Sequence, residues 1–148
     1  MVSFRPHVIF SAAITLDGKL ATRTGDSKLS SKKDKIRVHK LRSKVDAILV
    51  GKNTVKIDDP LLSVSNIKKK NPVRIILDSN ATIRTSSRIL KTCSKIPTII
   101  AVSKMAQKKK LTKTRKISCS NYSLWKIYSK RKKITWNTQE KRYKKYFS

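Results

Sequence analysis

The sequence predicts an α/β domain with a largely parallel sheet, and three observations carry that expectation. Apolar, β-rich runs recur along the first hundred residues, at His7–Ala13, Asp46–Gly51, Val73–Asp78 and Thr98–Val102. Segments of helix or loop length separate them, as parallel strands require. The runs are short and continuously apolar, which suits strands covered on both faces.

Each element follows from local chemistry. His7–Ala13 (HVIFSAA) is uncharged and reads as a buried strand; its apolar core, Val8-Ile9-Phe10, is too short for a signal-peptide core. Thr15-Leu16-Asp17-Gly18 turns the chain, and a polar loop continues through Gly25-Asp26-Ser27. Ser30 or Ser31 is placed to N-cap a helix with Asp34 in its first turn. Val38, Leu41 and Val45 form that helix's apolar stripe, and Lys and Arg its solvated side.

Asp46–Gly51, closed by glycine, reads as a central strand, and Pro60 stops any helix begun at Asn53-Thr54. Ile67–Asn71 is a basic surface loop, and Val73–Asp78 and Thr98–Val102 are the third and fourth strands. Beyond Ser103 no period of 2 or 3.6 persists, apart from one or two helical turns in Met105–Leu111.

Composition divides the chain at the same place. Its 148 residues carry a net charge of +29, enough to raise nucleic-acid binding as a function class. Residues 1–60 hold 13 basic and 6 acidic side chains, residues 61–100 hold 8 and 1, and residues 101–148 hold 16 and 1. The three glycines end at Gly51, whereas seven of the nine aromatics fall in the last 27 residues. We therefore expect a domain over residues 1–115 and a basic, aromatic-rich tail over 116–148. No apolar run approaches the roughly 18 residues of a membrane span. Cys93 and Cys119 form no CxxC pair and predict no disulfide framework, so the expected compartment is the cytoplasm.

Polar residues collect where the strands end. Thr15, Asp17, Gly18 and Lys19 follow the first run; Gly51, Asn53, Thr54 and Asp58 the second; Asp78 and Ser79 the third. Open α/β sheets bind ligands at the carboxyl ends of their strands, where such hydroxyls and amides meet phosphate or ribose. Each cluster also has a plainer reading. Asp17-Gly18 is a common turn pair, Thr54 a helix cap, and Asp58-Asp59-Pro60 a capped turn. His7 and His39 have no partners at ligand spacing, so no metal site is expected. GxSxG, Walker and GxGxxG motifs are absent.

Together the clusters resemble a known family. Ser11-Ala12-Ala13-Ile14-Thr15-Leu16-Asp17-Gly18-Lys19, Gly25-Asp26-Ser27, Leu41-Arg42, Asp46–Gly51, Asn53-Thr54-Val55, Asp58-Asp59-Pro60-Leu61-Leu62 and Leu77-Asp78-Ser79 are similar to the pyrimidine reductases of riboflavin biosynthesis, over roughly residues 5–105. The resemblance implies a dihydrofolate-reductase-like fold, with a mixed, mostly parallel sheet flanked by helices. It also implies NADPH as cofactor and a homodimer. A stand-alone chain resembles the archaeal and fungal type, which reduces the ribosyl group of 2,5-diamino-6-ribosylamino-4(3H)-pyrimidinone 5′-phosphate to ribityl. The bacterial type, usually fused to a deaminase, acts instead on 5-amino-6-ribosylaminouracil 5′-phosphate.

Carried over by position, the resemblance puts Ala13, Thr54, Asp58 and Ser79 at the cofactor. Asp78 is grouped with them at the same strand end, and Leu29 is a further candidate. Ser27, Arg42 and Leu62 fall at the substrate, Arg42 as a phosphate or carbonyl partner. No protein acid, base or nucleophile is expected to be catalytic, because the hydride comes from the cofactor.

Two departures bear on activity. Ser65 stands where the family usually carries a substrate-binding arginine, and Lys68–Lys70 are poor replacements for a bidentate fork. No glycine follows Gly51, so the family's Glu-Gly-Gly loop and the last strands are expected to be missing. The expectation is a domain incomplete at its C-terminal end, truncated or read out of frame after about residue 116. The alternative function is a nucleic-acid-binding module that uses the tail (Tyr122, Trp125, Tyr128, Lys130–Lys133, Trp136).

Overall fold

The computed structural model describes residues 6–26, 29–64, 71–103, 106–107, 122–130 and 133–136; for the last two ranges only the course of the strands is described. The elements run α1 (Lys32–Arg42), β1 (Ala47–Gly51), α2 (Lys52–Asp58), β2 (Val73–Leu77), α3 (Arg88–Lys91), β3 (Thr98–Ser103), β4 (Tyr122–Lys130) and β5 (Lys133–Trp136). They build one five-stranded sheet in the order β1-β2-β3-β4-β5. The first three pairings are parallel, with Gly51 opposite Leu77, Arg74 opposite Thr98, and Thr98 opposite Tyr122. β5 closes antiparallel on β4. The predicted α/β class with a mixed, mostly parallel sheet is therefore the fold observed.

The sheet's two faces are unequally covered. Side chains alternate along a strand, so Ile76, Ile100 and Val102 share one face. Val55 of α2, Ile89 and Leu90 of α3, and Leu62 and Ala81 from the connections join them in the principal core. Val73 and Ile99 form a smaller cluster, with half-buried Ile75 packed against it. Leu77 is exposed. α1 begins as expected, with Ser31 Oγ accepting from Asp34 N at 3.1 Å, but it buries no residue. Val38 and Leu41 of its stripe are only half-buried.

Three expectations change. His7–Ala13 is not a strand; Val8 is 78% and Phe10 88% exposed, and the segment is tied to α1 by Arg37 Nη2 donating to Ser11 Oγ at 3.4 Å. A β-rich run becomes a strand only where a ladder partner receives it, and that partner is non-local. β1 is not central but lies at the end of the strand order; its burial also alternates, with Leu49 59% exposed on the less covered face.

The sheet also continues past Ser103, through two strands drawn from the segment in which no period is legible. Cys93 is buried in the core. Among the described residues no helix is long and apolar enough to cross a membrane, and none group as a metal site.

Candidate functional site at the carboxyl ends of β1 and β2

The parallel register decides which polar residues meet. Gly51 pairs with Leu77, so the residues that follow each strand emerge at the same end of the sheet. After β1 the chain enters α2 directly, with Gly51 as its N-cap. Thr54 is therefore the third residue of the helix and not its cap, and Asp58 ends the helix one turn later. Both are exposed. Asp59 takes the left-handed conformation (φ 39°), turning the chain into Pro60.

After β2, Asp78 is buried and its carboxylate is fully engaged. It accepts from the Thr82 amide, from the Thr82 hydroxyl at 3.0 Å and from the Ile83 amide at 2.9 Å. Asp78 thus holds the 78–83 loop in shape, accepting from two backbone amides and one hydroxyl of that loop. Ser79 is exposed, and its carbonyl accepts from the Ser103 amide at 3.0 Å and hydroxyl at 2.8 Å, which pins the β2 end to the β3 end.

The remaining sequence-derived residues divide. Leu62 is buried in the principal core with a positive φ of 50°, so its side chain serves packing. Arg42, the last residue of α1, is half-buried, and burial holds its guanidinium below the usual value. Leu29 and Ala13 are half-buried outside the sheet, and Ser27 lies outside the described residues. The structure therefore sets Thr54, in the first turn of α2, and Asp78 and Ser79 after neighbouring strands at one sheet end, with Asp58 at the other end of α2; Ala13, Leu29, Arg42 and Leu62 do not follow these strands. Asp17-Gly18 forms a compact turn, with Gly18 N donating to Thr15 O at 2.9 Å and Gly18 at φ 77°, a conformation that glycine adopts without strain.

Three features were not legible as site residues. Arg74, read only as a strand position, is fully buried beneath the 58–64 turn. Its guanidinium donates to Leu61 O (3.0 Å), Thr92 Oγ1 (2.9 Å), Ile89 O (2.8 Å), Ile96 O (3.2 Å) and Thr98 Oγ1 (3.0 and 2.6 Å). Burial lowers its pKa to about 10. Asp59 Oδ1 accepts from the Arg88 amide at 2.9 Å, fastening the turn to α3.

The third feature is a cavity of about 300 Å³ between α2 and the 82–87 segment, with Lys52, Lys56, Arg84, Ser86 and Ser87 among its lining residues. Ser87 is 8% exposed, and its Oγ has no hydrogen-bond partner in the protein. The only sequence signal for this cavity was the basic character of Lys52, Lys56 and Arg84, which does not distinguish a wall from a solvated surface.

Comparison with known proteins places this architecture. Over 115 residues the chain is 46% identical to the 2,5-diamino-6-ribosylamino-4(3H)-pyrimidinone 5′-phosphate reductase of Methanothermobacter thermautotrophicus, covering 76% of this chain and 52% of that protein. It is 39% identical over 106 residues to the riboflavin biosynthesis protein RibD of Aquifex aeolicus, covering 70% of this chain and 30% of that protein. The crystal structure of a diaminohydroxyphosphoribosylaminopyrimidine deaminase/5-amino-6-(5-phosphoribosylamino)uracil reductase from Thermotoga maritima superposes with a TM-score of 0.57 at 28% identity, over 76% of this chain and 36% of that one. The chain thus spans about half the length, or less, of the curated relatives it matches. Residues 6–138 match the family described as the RibD C-terminal domain. With the strand-end site and the shared fold, that match shows that the chain belongs to the RibD C-terminal domain family.

Proposed function

We propose that this chain is a pyrimidine reductase of riboflavin biosynthesis. In this reading it uses NADPH to reduce the ribosyl group of 2,5-diamino-6-ribosylamino-4(3H)-pyrimidinone 5′-phosphate to ribityl. The observation that carries the reading is the 46% identity to the archaeal reductase of that name, over a stretch that includes the Thr54–Asp58 helix and the Asp78-Ser79 strand end. The same likeness favours the diaminopyrimidinone over the aminouracil named for the Thermotoga protein, to which identity is lower.

The residues at the sheet end fit a dinucleotide. Exposed Thr54 and Ser79 offer hydroxyls to ribose or phosphate oxygens, on a turn and helix fastened from beneath by Arg74 and Asp59. Asp78 supports this surface from within, since its carboxylate is occupied by the loop it shapes. When bound, NADPH supplies the hydride that reduces C1′ of the open-chain sugar. The chain's own part is to hold the reacting carbon in reach and to exclude water; no side-chain acid or base is assigned to the step.

Arg42, half-buried at the end of α1, is proposed to meet the substrate's phosphate or carbonyl, and the family resemblance adds Ser27 and Leu62 at the substrate and Ala13 at the cofactor. A cytoplasmic homodimer belongs to the same proposal, as does the division into a reductase part over 1–115 and a basic tail over 116–148. The test is NADPH oxidation, followed by absorbance, with the purified chain and the diaminopyrimidinone phosphate. Substrate-dependent oxidation with a ribityl product is expected, faster with NADPH than with NADH. A folded chain that oxidises neither cofactor with either pyrimidine would overturn the reading.

A further inference from the structure

The turn that follows α2 carries backbone strain at two residues. Asp59 and Leu62 both take left-handed φ values, 39° and 50°. Residues with a Cβ keep that conformation only where their surroundings impose it, and such positions concentrate at functional sites. Three hydrogen bonds from outside the turn impose it here. Asp59 Oδ1 accepts from the Arg88 amide at 2.9 Å, Arg74 Nη1 donates to Leu61 O at 3.0 Å, and Asn71 Oδ1 accepts from the Val64 amide at 2.8 Å.

Arg74 is the unusual support. It is a fully buried cation, and taking a charge out of water is costly where an apolar side chain would fill the same space without that penalty. Packing therefore does not account for it, but its geometry does. Bonds to the Ile89 and Ile96 carbonyls and to the Thr92 and Thr98 hydroxyls clamp the planar fork onto α3 and the start of β3. The bond to Leu61 O is the one that reaches the turn. A trans peptide is planar, so fixing the Leu61 carbonyl also fixes the Leu62 N–H, which points the opposite way. Leu62 turns its side chain into the principal core, which leaves the main chain of the turn and half-buried Ser63 and Val64 to meet a ligand.

We propose that Arg74 and Asn71 are positioning residues for the pyrimidine phosphate, holding the main chain of residues 61–64 in the conformation that receives it. Arg74 acts through the Leu61–Leu62 peptide, and Asn71 through the Val64 amide. This role rests on the reductase reading, in which the family resemblance puts Leu62 at the substrate. A turn already held in its bound shape need not be ordered when the substrate arrives, so loosening it weakens substrate binding. The cofactor is affected less, because Thr54 and Ser79 stand on α2 and at the end of β2, outside the turn. Burial lowers the Arg74 pKa to about 10, which leaves the fork charged and its donors intact at neutral pH.

Steady-state kinetics of the whole chain with NADPH and the diaminopyrimidinone phosphate test this role in Arg74→Lys and Asn71→Ala, with circular dichroism to verify folding. Ile99→Ala is the comparison for lost stability alone, since Ile99 is buried in the smaller cluster on the sheet face opposite Leu62. The KM for the pyrimidine phosphate is expected to rise about tenfold in Arg74→Lys and about threefold in Asn71→Ala, with kcat and the KM for NADPH within about twofold of the parent. Ile99→Ala should move none of the three. An equal rise in Ile99→Ala, or an unchanged substrate KM in the folded variants, overturns the proposal; if Arg74→Lys does not fold, an unchanged KM in Asn71→Ala suffices. Amide hydrogen exchange reads the turn without turnover, and residues 61–64 should exchange about tenfold faster in both variants than in Ile99→Ala. Unchanged exchange there overturns the positioning role even where the parent is active. A parent chain without turnover overturns the reductase reading itself, and the substrate role falls with it.

Discussion

Arg74 and Thr98 are register partners across β2 and β3, and the guanidinium of one folds onto the hydroxyl of the other, with Nε at 3.0 Å and Nη2 at 2.6 Å from Thr98 Oγ1. Both are fully buried. Among the described residues no carboxylate ion-pairs with Arg74; carbonyls of Leu61, Ile89 and Ile96 and the Thr92 hydroxyl take its other protons. One side chain thus ties the turn after α2, the end of α3 and the start of β3 to the sheet.

Arg74→Lys is expected to be destabilising, because an ammonium cannot reproduce the planar fork and leaves buried carbonyls without donors. The cost should be about 2–4 kcal/mol, read as a lowered midpoint in chemical denaturation. A variant within about 0.5 kcal/mol of the parent would show that water or neighbouring groups replace the fork.

Asp78→Ala removes the acceptor for the Thr82 and Ile83 amides, and a loss of about 1–3 kcal/mol is expected. Asp78→Asn keeps one acceptor oxygen and should cost less. If Asp78 instead met a ligand directly, ligand affinity would fall in both variants by more than stability does.

Arg42→Met should raise the KM for the pyrimidine phosphate about tenfold while kcat changes little, the signature of lost ground-state binding. Equal falls in kcat and kcat/KM would place Arg42 in the reacting step instead.

Leu49 lies on an edge strand with its side chain exposed, so Leu49→Lys should leave the unfolding free energy within about 0.5 kcal/mol of the parent. It should also reduce self-association seen by light scattering, since an inserted charge blocks edge-to-edge pairing. Loss of dimer in the same variant would identify the β1 edge as the subunit contact.

Asp34 in the first turn of α1 has its pKa held below 3.8, chiefly by the Arg37 guanidinium and then by Ser30. A depressed carboxylate pKa means that its stabilisation is complete above the unfolded value and is lost as pH falls through the folded one. Helical signals of α1 in nuclear magnetic resonance should therefore fade only as pH falls below the usual carboxylate range, and Asp34→Asn should remove that step.

Local chemistry was sufficient for three strands, for α1 with its Ser31 cap, and for the polar residues at the strand ends. Apolar β-rich runs and cap residues act over a few positions and can be read where they stand. Position along the chain could not say that Asp78 would spend its carboxylate on Thr82 and Ile83, or that Leu62 would turn into the core. Nor could it say that Ser87 would be buried with its hydroxyl unpartnered.

The sequence by itself determined the α/β class, the family and the residues that collect at the ends of β1 and β2. Only the tertiary structure decided that β1 is an edge, that His7–Ala13 stays unpaired and that β4 and β5 extend the sheet. The physical reason is the same in each case. Strand pairing and burial are contacts between segments far apart in the chain, and a segment's own composition states what it can bury but not which neighbour receives it.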